Sequence, residues 1–340
     1  MPNTPDHPTR VLILSKFLGP FHLRQTPGRR GRWGKCQFAI NQPGTYDRVV
    51  VFDSMAGPAD IVCPPDGTLF MAGEPPEIKR YNPRFLAQFA RIVTQDSNAR
   101  HHQVVDSHAG QPWFVGVTGK LEDPPTVTLT YEDLVAARPE KTGLLSVVAA
   151  LRNVTEGHRA RVRLVESLQR RFGAEVTVLG RDTNPFADKW DAVAPFKYHV
   201  ALENSRFHHY FTEKLTDAYL GNCFPLYWGC PNAGDYFDPE GFRFINIHDP
   251  EGAADIIARA VDDGLWEKTQ AIRERDRDRV LNEHNLFALL DRLFREPTRL
   301  PPAPLRLVPE QEFQDSPLRK LRRRLKRAVP RSLRPKRWKV

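Results

Sequence analysis

Short apolar runs alternate with helix-like stretches along the chain, and this alternation predicts an α/β fold. In the first part the candidate strands are Val11–Leu14, Arg48–Phe52, Thr68–Ala72 and Arg91–Thr94. In the second part they are Leu144–Ala149, Glu175–Leu179, Tyr198–Leu202 and Cys223–Tyr227. Amphipathic helices are expected around residues 162–172 and 212–220. A chain of 340 residues is long enough for two such α/β units.

The boundary between the two units is predicted at Glu122–Lys141, a segment with three prolines and no apolar period. We therefore assign residues 1–140 to an N-terminal domain and residues 141–300 to a C-terminal domain. Residues 301–340 are predicted to form a Pro-rich linker followed by a basic tail.

Basic charge is concentrated in that tail. Of the 50 Lys and Arg residues, 12 follow Leu318, where no Asp or Glu occurs, so the preceding part carries 38 basic and 41 acidic residues. At helical spacing, one face of the tail collects the apolar residues Leu318, Leu321, Leu325, Ala328 and Val329. A basic amphipathic helix is typical of anchors on anionic membranes, and we expect residues 317–340 to form such an anchor, with its helix ending at Pro330. The alternative is a solvated, unstructured tail. Nucleic acid is not an expected partner, because the rest of the chain shows no basic face interleaved with aromatic residues.

The cysteine content and the apolar runs predict a cytoplasmic location. The four cysteines contain no C-x-x-C pair and are too few for a disulfide framework in a chain of this length. The N-terminal apolar run is too short for a signal peptide, and no later run approaches the roughly 18 apolar residues of a spanning helix. We therefore expect a cytoplasmic protein held peripherally at the inner face of the cytoplasmic membrane.

The densest polar cluster lies between Lys197 and Lys214. Here a buried strand ends in Glu203-Asn204, a polar loop follows, and a helix begins at Thr212-Glu213-Lys214. Ligands of parallel sheets bind beyond the carboxyl ends of the strands, where helix N-termini attract anions. A lysine in the first helical turn is repelled by the positive end of the helix dipole, which costs some stability. An anion bound there would attract both, so the pattern indicates an anion site. The alternative is a capped surface helix with Glu213 complementing the dipole and Lys214 solvated.

The longer stretch from Ala201 to Phe242 closely resembles glycosyltransferase family 10, the α-1,3/4-fucosyltransferases that use GDP-fucose. The matching residues, in order, are Glu203-Asn204-Ser205, Tyr210, Thr212-Glu213-Lys214, Pro225, Tyr227, Gly229, Pro231 and Asn232. Residues 141–250 carry the resemblance, whereas the first 140 residues carry it only through Gly73-Glu74. The chain departs from the family pattern at Phe211, where valine is usual, and at Leu151-Arg152-Asn153.

The resemblance implies a GT-B fold, in which two Rossmann-like domains face each other across a cleft. The N-terminal domain would bind the acceptor and the C-terminal domain would bind GDP-fucose. Arg181 would be the phosphate-binding arginine, Glu213 the ribose-binding carboxylate and Lys214 the diphosphate-binding lysine. The further donor-pocket residues would be Glu203, Asn204 and Tyr210. Arg and Lys suit this role because they neutralise the charge on the departing GDP. A solvated loop arginine is the alternative for Arg181.

An inverting transfer needs a base for the acceptor hydroxyl on the face opposite the leaving group. In the family this base is a carboxylate of the N-terminal domain in a Gly-Glu context just after a strand. The matching segment here is Phe70–Glu74, so Glu74 is the candidate base. Glu77 is the alternative if the register of the loop differs.

No metal site is expected from the sequence. Asp276-Arg277-Asp278 fits a D-x-D pattern, but it lies in the charge-alternating segment Glu267–Arg279, which predicts an exposed helix. The pairs His101-His102 and His208-His209 lack the i, i+4 spacing of helical zinc ligands. We therefore expect no cofactor and no obligatory metal, with GDP-fucose as the donor substrate.

Together these features predict an inverting transferase that moves fucose from GDP-fucose to a hydroxyl of a surface-glycan or lipopolysaccharide-type acceptor that is linked to a lipid. One alternative is the same fold with a different nucleotide-sugar donor. The other is a non-catalytic glycan- or nucleotide-binding module docked on the membrane.

Overall fold

Two mainly parallel β-sheets organise the computed structural model, which describes residues 7–119, 125–149 and 156–314. Numbered in chain order, the strands are β1 Thr9–Leu14, β2 Arg32–Trp33, β3 Cys36–Ile40, β4 Arg48–Phe52, β5 Ala59–Cys63, β6 Thr68–Met71, β7 Arg91–Val93, β8 Val104–Val105, β9 Val117–Thr118, β10 Thr126–Val127, β11 Gly143–Val148, β12 Val176–Leu179, β13 Phe196–Leu202, β14 Phe224–Trp228, β15 Arg243–Phe244 and β16 Ala303–Leu307. The helices are α1 Pro83–Leu86, α2 Tyr131–Ala136, α3 Glu156–Phe172, α4 Trp190–Val193, α5 Glu213–Leu220, α6 Pro250–Asp262, α7 Leu265–Lys268, α8 Gln270–Asn282, α9 Leu286–Leu293 and α10 Gln311–Gln314. In the part that the structure describes, none of the helices is long and apolar enough to cross a membrane. Leu151-Arg152-Asn153 and the tail 317–340 lie outside the described residues.

The first sheet has the strand order β2-β3-β1-β4-β6-β7-β8, and the second has the order β12-β11-β13-β14-β15. The pairs within both sheets are parallel except β2 with β3. Each candidate strand of the sequence overlaps one of these strands, and the predicted α/β class is confirmed.

Both faces of the first sheet are covered, which is why its central strands are apolar throughout. All five residues of β4 are buried. Its side chains alternate, so that Val49 and Val51 pack on the α1 side. Val50 and Phe52 pack on the other side, against α9.

The second sheet is covered in the same way, by α3 and α6 on one face and by α5 and α8 on the other. Leu164 and Leu168 of α3 and Ile257 of α6 are buried against the strands. The carboxyl ends of β11 and β13, at Val148 and Leu202, border a cavity.

The segment from α9 to β16 returns to the first sheet, whereas the predicted domain boundary at residue 300 placed α9 in the C-terminal domain. Phe287 and Leu290 of α9 are fully buried in the core of the first sheet. The strand β16 pairs antiparallel with β5, within a segment predicted to be linker. The faces of the second sheet are already covered by four helices, so the apolar stripe of α9 finds its partner on the first sheet.

A helix also occurs in the predicted boundary segment. The helix α2 begins with a capping box, in which Thr130 accepts from the Asp133 N–H and Asp133 accepts from the Thr130 N–H. Only Leu134 of this helix is buried. A helix with one buried apolar residue shows no repeat of apolar residues at helical spacing, so the sequence pattern did not predict it.

The helix α8 was predicted to be exposed, and this prediction is wrong. Arg273, Asp276 and Arg277 are buried. Arg273 donates to the Trp266 carbonyl and to Asn222. Asp276 accepts from the Asp238 N–H at 3.1 Å, so it serves the packing of this helix. Hydrogen bonds to the backbone satisfy these charges and allow their burial.

Candidate active site

The carboxyl ends of strands from both sheets open into one cleft, which contains two adjoining cavities. The first cavity, of about 470 Å³, is bordered by the ends of β11 and β13 and by the N-terminus of α5. Among the described residues, its charged lining consists of Arg161, Lys189, Glu213 and Lys214. The second cavity, of about 220 Å³, is bordered by the segments that follow β4 and β6. Its polar lining includes Asp53, Glu74, Gln111, Asn204 and Tyr210.

Glu213 and Lys214 line both cavities and form an ion pair. The Lys214 Nζ lies 2.9 Å from the Glu213 Oε1, and the Thr212 hydroxyl caps α5 by accepting from the Lys214 N–H. Burial alone would raise the pKa of Glu213, but the adjacent Lys214 holds it below its usual value. Burial would likewise lower the pKa of Lys214, but Glu213 and Glu203 hold it above its usual value. Both side chains are therefore charged, and the ammonium group faces the cleft.

Glu203 lines neither cavity. It is fully buried, and its carboxylate accepts from the N–H and the hydroxyl of Thr212, each at 2.7 Å. Burial raises the pKa of this carboxyl group. Gly229 is needed beside it, because a Cβ there would lie 2.3 Å from the Glu203 Cγ. Glu203 therefore positions the start of α5 and does not present its carboxylate to the cleft.

Asn204 and Tyr210 both line the second cavity, on its α5 side. Asn204 is exposed, and its Oδ1 lies 3.3 Å from the Arg161 guanidinium. Tyr210 is buried, and this burial raises the pKa of its phenol, as do the nearby carboxylates of Glu203, Glu213 and Glu74. The structure thus brings Asn204, Tyr210, Glu213 and Lys214 together.

The arginine at the first cavity is Arg161, which the sequence analysis missed. It donates to the Glu203 carbonyl at 2.5 Å, and its buried Nε has no hydrogen-bond partner. Arg181, the arginine predicted from the resemblance, is exposed just after β12 and lines neither cavity. A signal for Arg161 does exist in the sequence. It stands three and four residues before the buried Leu164 and Val165, on the apolar stripe of α3.

Glu74 faces the second cavity from the first sheet, and the alternative Glu77 is exposed outside it. Gln111 donates to the Gly73 carbonyl at 2.6 Å and so supports the loop that carries Glu74. Burial raises the pKa of Glu74, and the nearby Asp53 adds to this effect, against the opposing charges of Lys214 and Lys79. Glu74 is therefore a stronger proton acceptor than an ordinary surface carboxylate.

Asp53 is a second carboxylate at this cavity that the sequence analysis missed. It follows β4 directly, is buried, and accepts from the Tyr81 hydroxyl. The Lys79 ammonium lies 3.3 Å from it. Gly73 permits the close approach of the two loops, because a Cβ there would lie 2.8 Å from the Asp53 Cβ. The sequence signal for Asp53 was its position directly after the predicted strand Arg48–Phe52.

Residues 111–119, which we call the crossing segment, run between the two sheets and are held by buried charges. Arg24 donates to the carbonyls of Trp113 and Val115 at 2.9 and 2.8 Å. From the other side, Asp217 accepts from the Phe114 N–H at 3.3 Å, and Asp188 accepts from the Gly116 N–H at 2.8 Å. The segment is therefore fixed by both halves of the molecule.

The histidines of the motif loop lie outside both cavities. The His209 Nδ1 lies 2.5 Å from the Tyr236 hydroxyl, and His208 is exposed. Among residues 7–119, 125–149 and 156–314, no group of three or more His, Cys, Asp or Glu side chains could hold a metal ion.

The two facing sheets and their shared cleft define the class of fold. The structure solved as trehalose-6-phosphate from E. coli bound with UDP-2-fluoro glucose matches with a TM-score of 0.50 over 87% of this chain and 100% of that chain. The sequence identity is 9%, so this likeness concerns the fold alone. The fold is GT-B, that of a large class of glycosyltransferases, which confirms the predicted fold class.

The sequence comparisons match part of the chain to one family. Residues 139–259 match the model of glycosyltransferase family 10 (fucosyltransferase), C-terminal part, and the chain carries this family's domain there. The α-(1,3)-fucosyltransferase FucT of Helicobacter pylori is 36% identical over 62 residues, which are 18% of this chain and 13% of that protein. The α-(1,3)-fucosyltransferase 4 of Mus musculus is 37% identical over 124 residues, which are 35% of this chain and 27% of that protein. These matches confirm the resemblance, although each spans less than a third of the relative's length.

The carboxylate that anchors the crossing segment should make stability depend on pH. Burial raises the pKa of Asp217 to about 7, whereas the unfolded chain has a value of roughly 3.9. As the pH rises, the native state therefore keeps this proton after the unfolded chain has lost it. Between roughly pH 3.9 and about 7, the free energy of unfolding should fall by at most about 1.4 kcal/mol per pH unit.

Asp217→Asn removes this titration, so its stability relative to the wild type should rise up to about pH 7 and level off above it. Urea unfolding of both proteins between pH 5 and 8 measures the difference. A difference that stays constant across this range would contradict the raised pKa.

Proposed function

We propose that this protein transfers fucose from GDP-fucose to a hydroxyl of a glycan acceptor, with inversion at the anomeric carbon. The observation that carries the proposal is the pairing of the two cavities. Cationic groups line the one beyond the second sheet, and Glu74 lines the one beyond the first sheet. A sugar held at their junction can therefore have the leaving diphosphate on one side and the incoming hydroxyl on the other.

The first cavity suits a nucleoside diphosphate. The Lys214 ammonium and the Arg161 guanidinium lie on the same lining, and an anion there would also face the N-terminus of α5. Arg161 also donates to the Glu203 carbonyl, which holds its guanidinium beside this cavity. Glu213 would accept ribose hydroxyls, as the family resemblance implies.

Glu74 would act as the base in a single displacement. The acceptor oxygen attacks the anomeric carbon as its proton passes to the Glu74 carboxylate. The bond between that carbon and the diphosphate oxygen breaks, and the electron pair leaves with GDP. Lys214 and Arg161 stabilise the charge that develops on the diphosphate, a role that a divalent metal fills in other transferases. Attack from the Glu74 side, opposite the diphosphate, inverts the configuration.

The acceptor would be a surface-glycan or lipopolysaccharide-type glycan that is linked to a lipid, and the protein would act at the cytoplasmic face of the membrane. This part of the proposal rests on the sequence of residues 317–340. Their basic, amphipathic pattern is suited to an anionic membrane surface.

The donor cavity is tested by three alanine variants. Lys214→Ala and Arg161→Ala should each weaken GDP binding about 10- to 100-fold, because each removes a charge-assisted contact. Arg181→Ala is the matched control, and its GDP affinity should equal that of the wild type. Isothermal titration with GDP, without added metal and with EDTA, gives the three values. Weakened binding in Arg181→Ala alone would support the assignment made from the sequence and overturn the one made from the structure.

The base is tested by Glu74→Gln, which keeps the shape of the side chain but cannot accept the proton. Turnover should fall by roughly 10²- to 10⁴-fold while GDP affinity is retained. Because the pKa of Glu74 is raised, this carboxylate is protonated earlier than usual as the pH is lowered. On acidification, wild-type kcat/KM should therefore begin to fall at a pH above the usual carboxylate range. That acidic limb should be absent from the residual activity of the variant. Glu77→Gln is the control, and a loss of activity confined to Glu77→Gln would place the base at Glu77, three residues further along the loop.

The tail is tested by truncation after Asp315. The shortened protein should keep its activity on a short soluble acceptor, while its partition onto anionic vesicles should fall by tenfold or more. In the full-length chain, replacement of Leu321 and Leu325 by Ser should weaken vesicle binding without a change in charge. Vesicle sedimentation measures both effects. Equal partition of the full-length and truncated proteins would contradict the membrane proposal.

A further inference from the structure

Four of the described residues line both cavities and so form their junction, and one of these four has an apolar side chain. The residues common to both linings are His22, Phe114, Glu213 and Lys214. Burial lowers the pKa of His22 to about 4, so its ring is neutral but remains polar. The Phe114 ring is 48% exposed, although the segment that carries it is anchored by buried charges.

The reaction geometry places the transferred sugar at this junction. In a single displacement, the anomeric carbon lies between the leaving oxygen and the attacking oxygen. Arg161, which lines only the first cavity, marks the side of the leaving diphosphate, and Glu74, which lines only the second, marks the side of the attacking hydroxyl. The sugar ring must therefore bridge the two cavities, where Phe114 forms part of the wall.

The position of Phe114 is fixed before any ligand binds. Its N–H is held by Asp217, and the carbonyls on either side of it, of Trp113 and Val115, are held by Arg24. An aromatic ring on a backbone fixed in this way can offer a rigid apolar surface to a ligand at little cost in conformational entropy.

We propose that Phe114 is a specificity-determining residue that contacts the C6 methyl group of the transferred 6-deoxy sugar. This inference rests on the proposed fucosyl transfer. A sugar that carries a hydroxyl at C6 would have to desolvate that hydroxyl against the Phe114 ring without a hydrogen bond. A single added hydroxyl in an apolar environment is discriminated by up to about 10²-fold, so the selectivity expected from this contact is of that order.

The test compares two donors that differ only at C6, GDP-fucose and GDP-L-galactose. The ratio of their kcat/KM values should be about 10² in the wild type and should fall about tenfold in Phe114→Ala. Phe114→Tyr supplies a hydroxyl near C6 and should shift the ratio further towards GDP-L-galactose. Phe17→Ala is the matched control, because Phe17 is a similarly exposed ring, 51%, that lines only the second cavity. Its donor ratio should stay that of the wild type.

The affinity for GDP and the melting temperature separate this role from a structural one. Both should be close to the wild-type values in Phe114→Tyr, even if Phe114→Ala folds poorly. An unchanged donor ratio in Phe114→Tyr and Phe114→Ala, or an equal loss with both donors, would overturn the inference while leaving the fucosyl transfer intact. A wild-type protein that transfers neither sugar but binds GDP would instead overturn the proposed function, and this inference with it.

Discussion

The buried carboxylate of Glu203 is the interaction on which the site depends. It accepts both hydrogen bonds that Thr212 can donate, and so it fixes the start of α5 to the end of β13. A buried carboxylate is costly unless its oxygens have partners, and here each oxygen has one. Gly229 leaves the space that this arrangement needs. Three separate positions of the family motif therefore form one structural unit, which directs Glu213 and Lys214 into the cleft.

Buried charges also join the two halves of the molecule. Arg24 comes from the first half, Asp188 and Asp217 come from the second, and the crossing segment lies between them. The guanidinium donates hydrogen bonds to backbone carbonyls, and the carboxylates accept them from backbone N–H groups. The same stretch of backbone therefore provides partners for side chains of both kinds. The junction of the two cavities is consequently held from both sides.

The parts of the molecule that follow from local patterns were predictable from the sequence. Parallel strands buried on both faces are short apolar runs, and the runs at Arg48–Phe52 and Thr68–Ala72 correspond to β4 and β6. Glu203-Asn204, at the carboxyl end of a strand, was found from the same kind of pattern, whereas Glu74 was assigned from the family resemblance together with its position just after a strand. The return of α9 to the first sheet was not predictable, because nothing in its apolar stripe distinguishes one available core from the other.

Charged residues within helices were the least predictable, because tertiary packing decides whether they are buried. Arg161 and Arg273 both lie in helices with many charges, and both are partly or fully withdrawn from solvent. They differ in how their donors are used. Arg273 places its guanidinium nitrogens on the Trp266 carbonyl and on Asn222, and no cavity of the cleft borders it. Arg161 leaves its Nε without a partner beside the first cavity. A buried arginine whose donors are filled by its own protein stabilises the fold, whereas an arginine whose side chain lines a cavity is available to a ligand.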